Sequence, residues 1–232
     1  MSDAVTFESS EDVATIRLDD GKANALSPAV IASINGALDQ AEKAELAVLI
    51  TGRPNRFSAG FDLGVMREGG PAAAKDMVVS GAKLAVRIAR FPAPVVIASN
   101  GHALAMGAVL LMAADTRVGC EGDFKIGFNE VAIGMTTPIF LAEMARARMP
   151  VTEYLCSIVQ SEIYSPDRAV TAGFYDKLAN ADDLLSVGLA EAERLAKLPR
   201  GAYVRTREIA RGAALNFIEE TMEGDIAAGF PT

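Results

Sequence analysis

The sequence is poorest in the residues from which metal and redox centres are built. His102 is the single histidine, which excludes a site of two or three imidazoles. The two cysteines, Cys120 and Cys156, lack the spacing of a metal or redox motif, and one pair makes no disulfide framework. They read as buried free thiols in a reducing compartment. Basic residues are also in deficit, 22 against 30 acidic ones, for a net charge of −8. An acidic chain without a basic stripe is ill suited to nucleic acid or an anionic membrane surface, although an anionic ligand needs only a local positive pocket. Long apolar runs are missing too. The longest uncharged one, residues 103–114, is too short to cross a bilayer and reads as a buried helix. The start, MSDAVTFESSED, is acidic and polar, with no signal-peptide pattern, so the cytoplasm is the expected location. No repeat or low-complexity tract is visible.

What is present suits a folded enzyme-sized core: 232 residues, 50% of them hydrophobic. VATIRL (residues 13–18) alternates and runs into Asp19-Asp20-Gly21, a strand entering a turn. Ser27-Pro28 supplies an N-cap and a first-turn proline for a helix reaching about residue 45. LAVLIT (46–51) and PVVIAS (94–99) read as buried strands, separated by a polar loop and a helix over 72–90. Asn100-Gly101 is expected to turn the chain directly into the apolar helix of 106–114, with DTRVGC as the next strand. The last third reads as helices over 137–148, 152–160, 165–172, 182–197 and 200–217, interrupted only by FYDKLA. The pattern is an α/β body followed by a helical region.

Three segments stand out chemically. RFSAGFDLG (56–64) and NGHALAMGA (100–108) are small-residue loops that follow buried strands. Each offers free backbone N–H groups at a strand-to-helix junction, where negative charge is favoured, and two side by side could hold an oxyanion. Asp62 is placed to cap the helix or turn that follows. The third segment, IGFNEVAIGMTTP (126–138), sets one carboxylate, Glu130, among apolar residues and glycines. Such a charge is ordinarily paired, solvated or useful. Taken alone, each feature has an ordinary reading: turn glycines, a solvated loop carboxylate, His102 as a turn residue. Ser58 has no histidine in register to activate it.

The series KANALS, RFSAGFDL, NGHALAMGAVLLMAAD and IGFNEVAIGMTTP resembles the crotonase superfamily, the enoyl-CoA hydratases and isomerases, from about residue 5 to residue 211. The resemblance implies an α/β spiral of ββα units with a C-terminal helical part. It divides the chain into a core over residues 1–195 and a helical trimerisation region over 196–232. It also implies a homotrimer or hexamer and an acyl-CoA thioester substrate, with CoA as part of the substrate and no further cofactor or metal. Carried over by position, the oxyanion-hole N–H groups fall on Phe61 and Met106. Met106 is a departure, because the family has a glycine triplet where this chain reads Ala105-Met106-Gly107. Lys22, Ala23, Ala25, Leu26, Ala59, Asp62 and Leu63 match the CoA-binding strip, and Val109 and Gly107 the acyl pocket. Hydratases of the family carry two catalytic glutamates. Here the first position is Val109, and only the second, Glu130, is kept. GFNEVAIGMTTPIF is similar to the matching segment of Δ3,Δ2-enoyl-CoA isomerases, where one glutamate suffices because moving a double bond needs no water. The alternatives within this resemblance are another crotonase-fold reaction (weak hydration, or thioester or β-diketone hydrolysis) and a non-catalytic acyl-CoA binder.

Overall fold

The computed structural model describes residues 4–229; the outer ends of the two expected regions, residues 1–3 and 230–232, lie outside the described residues. The chain folds as successive strand pairs, each followed by a helix or turn. A hairpin of β1 (Val5–Ser9) and β2 (Val13–Leu18) leads into α1 (Pro28–Lys43). Then come β3 (Ala47–Thr51), β4 (Asn55–Ser58) and α2 (Leu63–Arg90). The next unit is β5 (Val95–Ser99), β6 (Gly101–Leu104) and α3 (Met106–Ala113). It is followed by β7 (Thr116–Cys120), β8 (Ile126–Gly127), a single 3-10 turn (Val131–Ile133) and α4 (Ile139–Arg146). The chain ends with α5 (Val151–Ile158), α6 (Pro166–Thr171), β9 (Lys177–Ala179), α7 (Leu184–Ala196) and α8 (Arg200–Gly229).

The first strand of each unit joins a six-stranded sheet, order β1-β2-β3-β5-β7-β9, and the second a three-stranded sheet, order β4-β6-β8. All pairings except β1–β2 are parallel. This is the ββα spiral of the crotonase fold. A parallel sheet is covered on both faces, which explains why β3 and β5 are buried at every position. On one face lie α1 to α3, with Ile16, Ile50 and Ile97 in register beneath them. On the other, α7 packs over Val13, Leu49, Val96 and Val118. From α8, Leu215, Ile218, Met222 and Ile226 join the main core, so its apolar stripe faces α2 and α4.

Several local expectations are corrected. Residues 100–106 do not turn straight into a helix: β6 intervenes, because Gly101 lets the chain run against the backbone of Asn55 and pair with β4. Likewise the loop expected at 56–64 begins inside β4, and the segment 126–138 begins inside β8. Such two- to four-residue strands carry too little periodicity to be read alone. The helix expected from residue 72 starts at Leu63, and the Gly70-Pro71 break, with Gly70 at φ 71°, is a kink within α2. The last helix continues past Phe217 to Gly229 because α2 and α4 give its second half a surface to bury. FYDKLA contains β9, which closes the sheet edge. Cys120 is a buried free thiol as expected, but Cys156 is only half-buried.

Candidate active site

The three-stranded sheet decides where the candidate residues meet. Its parallel strands β4, β6 and β8 end side by side, and their exits carry Ala59 to Phe61, Ala105 to Met106, and Asn129 to Glu130. Clefts at the carboxyl ends of parallel strands are the usual ligand sites of α/β proteins. Here the cleft is an open hollow of about 610 Å³, solvent at its mouth included, with Phe61, Met106, Val109, Glu130, Ala59 and Leu63 among its lining.

The first exit is organised by Ser58. Its Oγ donates to the Asn24 carbonyl (2.8 Å) and accepts from the Gly60 N–H (3.2 Å), a structural role rather than a nucleophile's. The 23–26 strip is zipped alongside: Ala59 N–H donates to Ala23 O (3.0 Å), Leu26 N–H to Gly60 O (2.8 Å), and Asp62 N–H to Leu26 O (3.3 Å). The strip uses the groups on either side of Phe61, which turns the Phe61 N–H away from it. Asp62 caps α2, accepting from the N–H groups of Gly64 (2.9 Å) and Val65 (3.3 Å).

At the second exit, Met106 is the first residue of α3, and Ala105 offers no side-chain cap. Ala105 sits at φ 49°, ψ −126°, a conformation costing a residue with a Cβ about 1–3 kcal/mol. It turns the start of α3 into the cleft. The two exits touch at Gly60 (φ 92°), where an added Cβ would stand 2.8 Å from the Ala105 Cβ and 3.2 Å from the Met106 nitrogen. Neither the Phe61 nor the Met106 N–H is paired to a carbonyl among the described residues. Two free donors on adjoining loops, at the amino end of a helix, suit a developing negative charge. Gly107 lies behind the cleft, its missing Cβ letting α3 rest 2.5 Å, measured from a built Cβ, against the Ser58 carbonyl.

Glu130, from the third exit, is 8% exposed, and its Oε2 is buried without a hydrogen-bond partner. Burial pushes its carboxyl up to about 7, only partly countered by the N–H groups of Asn129 and of Glu130 itself. The Glu130 carbonyl accepts from Ile133 (3.2 Å) and Met135 (2.9 Å), so the 3-10 turn fixes the residue from behind. Asn129 Oδ1, in the same cleft, is likewise buried without a partner. No cation pairs with Glu130 among the described residues. The apolar walls, Val109, Phe140 and Leu141 among them, explain the upward shift.

Of the remaining candidates, Lys22 is exposed, Ala23 and Ala25 half-buried, and Leu26 fully buried, so they flank the cleft mouth rather than line it. His102 stays outside the cleft: its Nδ1 accepts from the Lys125 N–H (2.9 Å), and burial lowers its pKa. Sequence reasoning missed what shapes these parts. Asp20 accepts from the N–H groups of Lys22 (2.7 Å), Asn24 (2.9 Å) and Ala25 (3.1 Å), which stiffens the strip; the DDGKAN turn was the available signal. Gly81 of α2 seats the Phe61 ring and the Met106 sulfur: a Cβ there would lie 2.5 Å from Phe61 Cε1 and 3.5 Å from Met106 Sδ. Among the described residues, no cluster of three histidine, cysteine or acidic side chains could hold a metal, and no helix is long and apolar enough to cross a membrane.

Residues 8–227 match the model of the family described as enoyl-CoA hydratase/isomerase. Among solved structures, an enoyl-CoA hydratase/isomerase family protein from Pseudomonas syringae is 40% identical, with a TM-score of 0.95, over 98% of this chain and 99% of that one. An enoyl-CoA hydratase from Mycobacterium ulcerans is 36% identical (TM-score 0.94; 98% and 100% covered). A Mycobacterium tuberculosis protein is 37% identical (TM-score 0.94; 99% and 100% covered) and is named an enoyl-CoA isomerase in one solved structure and a probable enoyl-CoA hydratase in another. Relatives of nearly equal similarity thus bear the names of two different reactions.

Proposed function

Because the chain belongs to the enoyl-CoA hydratase/isomerase family, we propose that it is an acyl-CoA isomerase, shifting a 3-enoyl-CoA double bond to the 2-enoyl position. One observation carries the choice of reaction: among the described residues the cleft is lined by a single carboxylate, Glu130, with Val109, fully buried, at the position of the second. Hydration asks for a water held between two carboxylates, whereas isomerisation asks for one base that keeps its proton.

In this reading the thioester oxygen accepts from the Phe61 and Met106 N–H groups. The Glu130 carboxylate takes a proton from C2; the C2–H electrons form a C1=C2 bond and the thioester C=O π electrons move onto the oxygen held by the two N–H groups, giving a dienolate in which C3=C4 is still present. Protonated Glu130 then gives its proton to C4: the C3=C4 electrons form the C4–H bond, the C1=C2 electrons shift to C2=C3, the oxyanion electrons restore the thioester C=O, and the 2-enoyl thioester remains. A carboxyl near 7 can both remove and hold a proton at neutral pH. A positioned base contributes about 10²–10⁴-fold and an oxyanion donor about 10²–10³-fold, enough without a second carboxylate. The strip of Lys22, Ala23, Ala25 and Leu26, with Ala59, Asp62 and Leu63, would carry the CoA arm. Homotrimeric or hexameric assembly is part of the same reading, supported by exposed apolar side chains such as Val151 (90%) on α5 and Ile209 (77%) on α8.

Hydration is the second reading, favoured by Asn129: its unpartnered Oδ1 beside Glu130 is an acceptor that could seat a water. A paired assay separates the two. With 3-hexenoyl-CoA, isomerisation is followed by the absorbance of the conjugated product, with crotonyl-CoA hydration in parallel and Glu130→Gln as control. Isomerisation lost in the variant, with little hydration by the parent, is the expected result. Hydration as the faster reaction would overturn the proposal.

A further inference from the structure

Helix α3 is held at its two ends by different means. Its eight residues are all apolar and buried, a rod about 12 Å long gripped by side-chain contacts that have no direction. Such contacts resist tilting more than sliding along the axis. Polar contacts from outside the helix come at both ends: at the amino end the Ala105 N–H donates to Gly127 O (3.0 Å), and at the carbonyl end two arginines arrive. Arg211 of α8 donates through Nη1 to Ala113 O (3.0 Å) and through Nη2 to Met112 O (3.0 Å). Arg148, from the turn between α4 and α5, donates through Nε to Met112 O (3.4 Å) and through Nη2 to Ala114 O. At the amino end stand the strained Ala105 and, next to it, the Met106 N–H. A residue persists in such a conformation only where its surroundings over-determine it.

We infer that Arg148 and Arg211 are positioning residues for the oxyanion hole, clamping the carbonyl end of α3 so that its amino end holds Ala105 in its strained turn and presents the Met106 N–H to the cleft. The inference rests on the reading of the cleft given above. Three observations support it. The two arginines arrive from separate elements and converge on three consecutive carbonyls, which fixes the helix along its axis. Arg148 has no carboxylate in ion-pair contact among the described residues; desolvation, with Arg117 and Arg211 nearby, brings its pKa down to about 9 against the attraction of Asp115 and Asp176. A buried cation without a direct ion pair is costly, and the negative end of the helix adds its attraction to that of the two more distant carboxylates. Finally, Gly60 and Gly107 let the amino end of α3 rest on the backbone of the first exit. Any axial slip therefore changes the relation of the Met106 N–H to that of Phe61.

A conjugated thioester reports on the hole directly, because polarising its carbonyl shifts its absorption to the red. We would bind 2,4-hexadienoyl-CoA to the parent, Arg148→Met, Arg211→Met and Arg211→Lys, and measure isomerisation kcat and KM alongside thermal midpoints. The methionine variants should lose most of the red shift and about tenfold or more in kcat, a fraction of the roughly 10²–10³-fold that a lost oxyanion donor costs, with KM changed less than threefold. The lysine variant, which keeps the charge and can donate to a carbonyl but lacks the planar fork that reaches two, should fall between. In an Ala105→Gly background, where the strain is removed, the arginine substitution should cost at least threefold less. Variants with a lowered midpoint but the full red shift and kcat would overturn the inference and leave the arginines a purely structural cap. A parent that binds the probe without any red shift would instead overturn the reading of the cleft, and the inference with it.

Discussion

Replacing Glu130 by glutamine should stabilise the protein, and only at high pH. The carboxyl has no cation partner, one oxygen without a hydrogen bond, and a pKa raised from 4.5 to about 7, chiefly by burial. Between those values the folded state binds more protons than the unfolded chain, so unfolding free energy falls as pH rises. The penalty is small below pH 4.5, grows through the window from 4.5 to about 7, and is constant above it. At about 1.4 kcal/mol per unit, the full penalty is about 3 kcal/mol at pH 8 and under about 1 kcal/mol at pH 5. Neutral glutamine escapes it. Urea or thermal unfolding of parent and Glu130→Gln, at one protein concentration, should therefore show a Tm difference near pH 8 of roughly 6–12 °C in favour of the variant, for a chain of this size. The difference should shrink toward pH 5. A stability difference that does not change with pH, or a variant less stable at pH 8, would refute the account of Glu130 as a desolvated, unpaired carboxylate.

Three further outcomes follow from the same geometry. The kcat/KM of isomerisation should rise about tenfold per pH unit below a midpoint near 7 and level off above it, since the base must be ionised; a flat profile between about pH 5 and 9 would exclude a titrating Glu130. Val109→Glu places a second carboxylate in the first turn of α3, where the helix amino end favours it, and should raise crotonyl-CoA hydration at some cost in Tm; a folded variant without that gain sinks the one-carboxylate argument. Gly81→Ala puts a Cβ 2.5 Å from the Phe61 ring, and the forced shift should cost about 1–3 kcal/mol of stability and lower kcat/KM with 3-hexenoyl-CoA, whereas an unchanged rate would show that ring position does not govern the hole.

The residues that carry local chemistry were legible without the fold. The apolar runs at 46–51 and 94–99 could only be buried strands, Ser27-Pro28 and Asp62 are caps by residue type and are found capping, and Glu130 announced itself as a charge in apolar company. The resemblance of the four motifs gave the fold, because their order and spacing extend over nearly the whole chain. The short strands β4, β6 and β8 were not legible: each is too brief to show a period, and they exist because the three exits pair with one another. The ββα repetition was legible only through that resemblance, since it lies in the backbone path and not in recurring side chains.

Sequence by itself therefore determined which groups are available: one carboxylate, no second glutamate, two small-residue loops, no histidine set. Tertiary structure alone decided what they are worth. Burial, not residue type, brings the Glu130 carboxyl to about 7, and close contact through Gly60 and Gly107 brings the exit of β4 against the start of α3. The same holds for the two arginines, Arg148 and Arg211, which lie 63 residues apart in the chain and meet on the carbonyls of one helix. Desolvation and long-range juxtaposition belong to the packed molecule, and no local stretch of sequence encodes them.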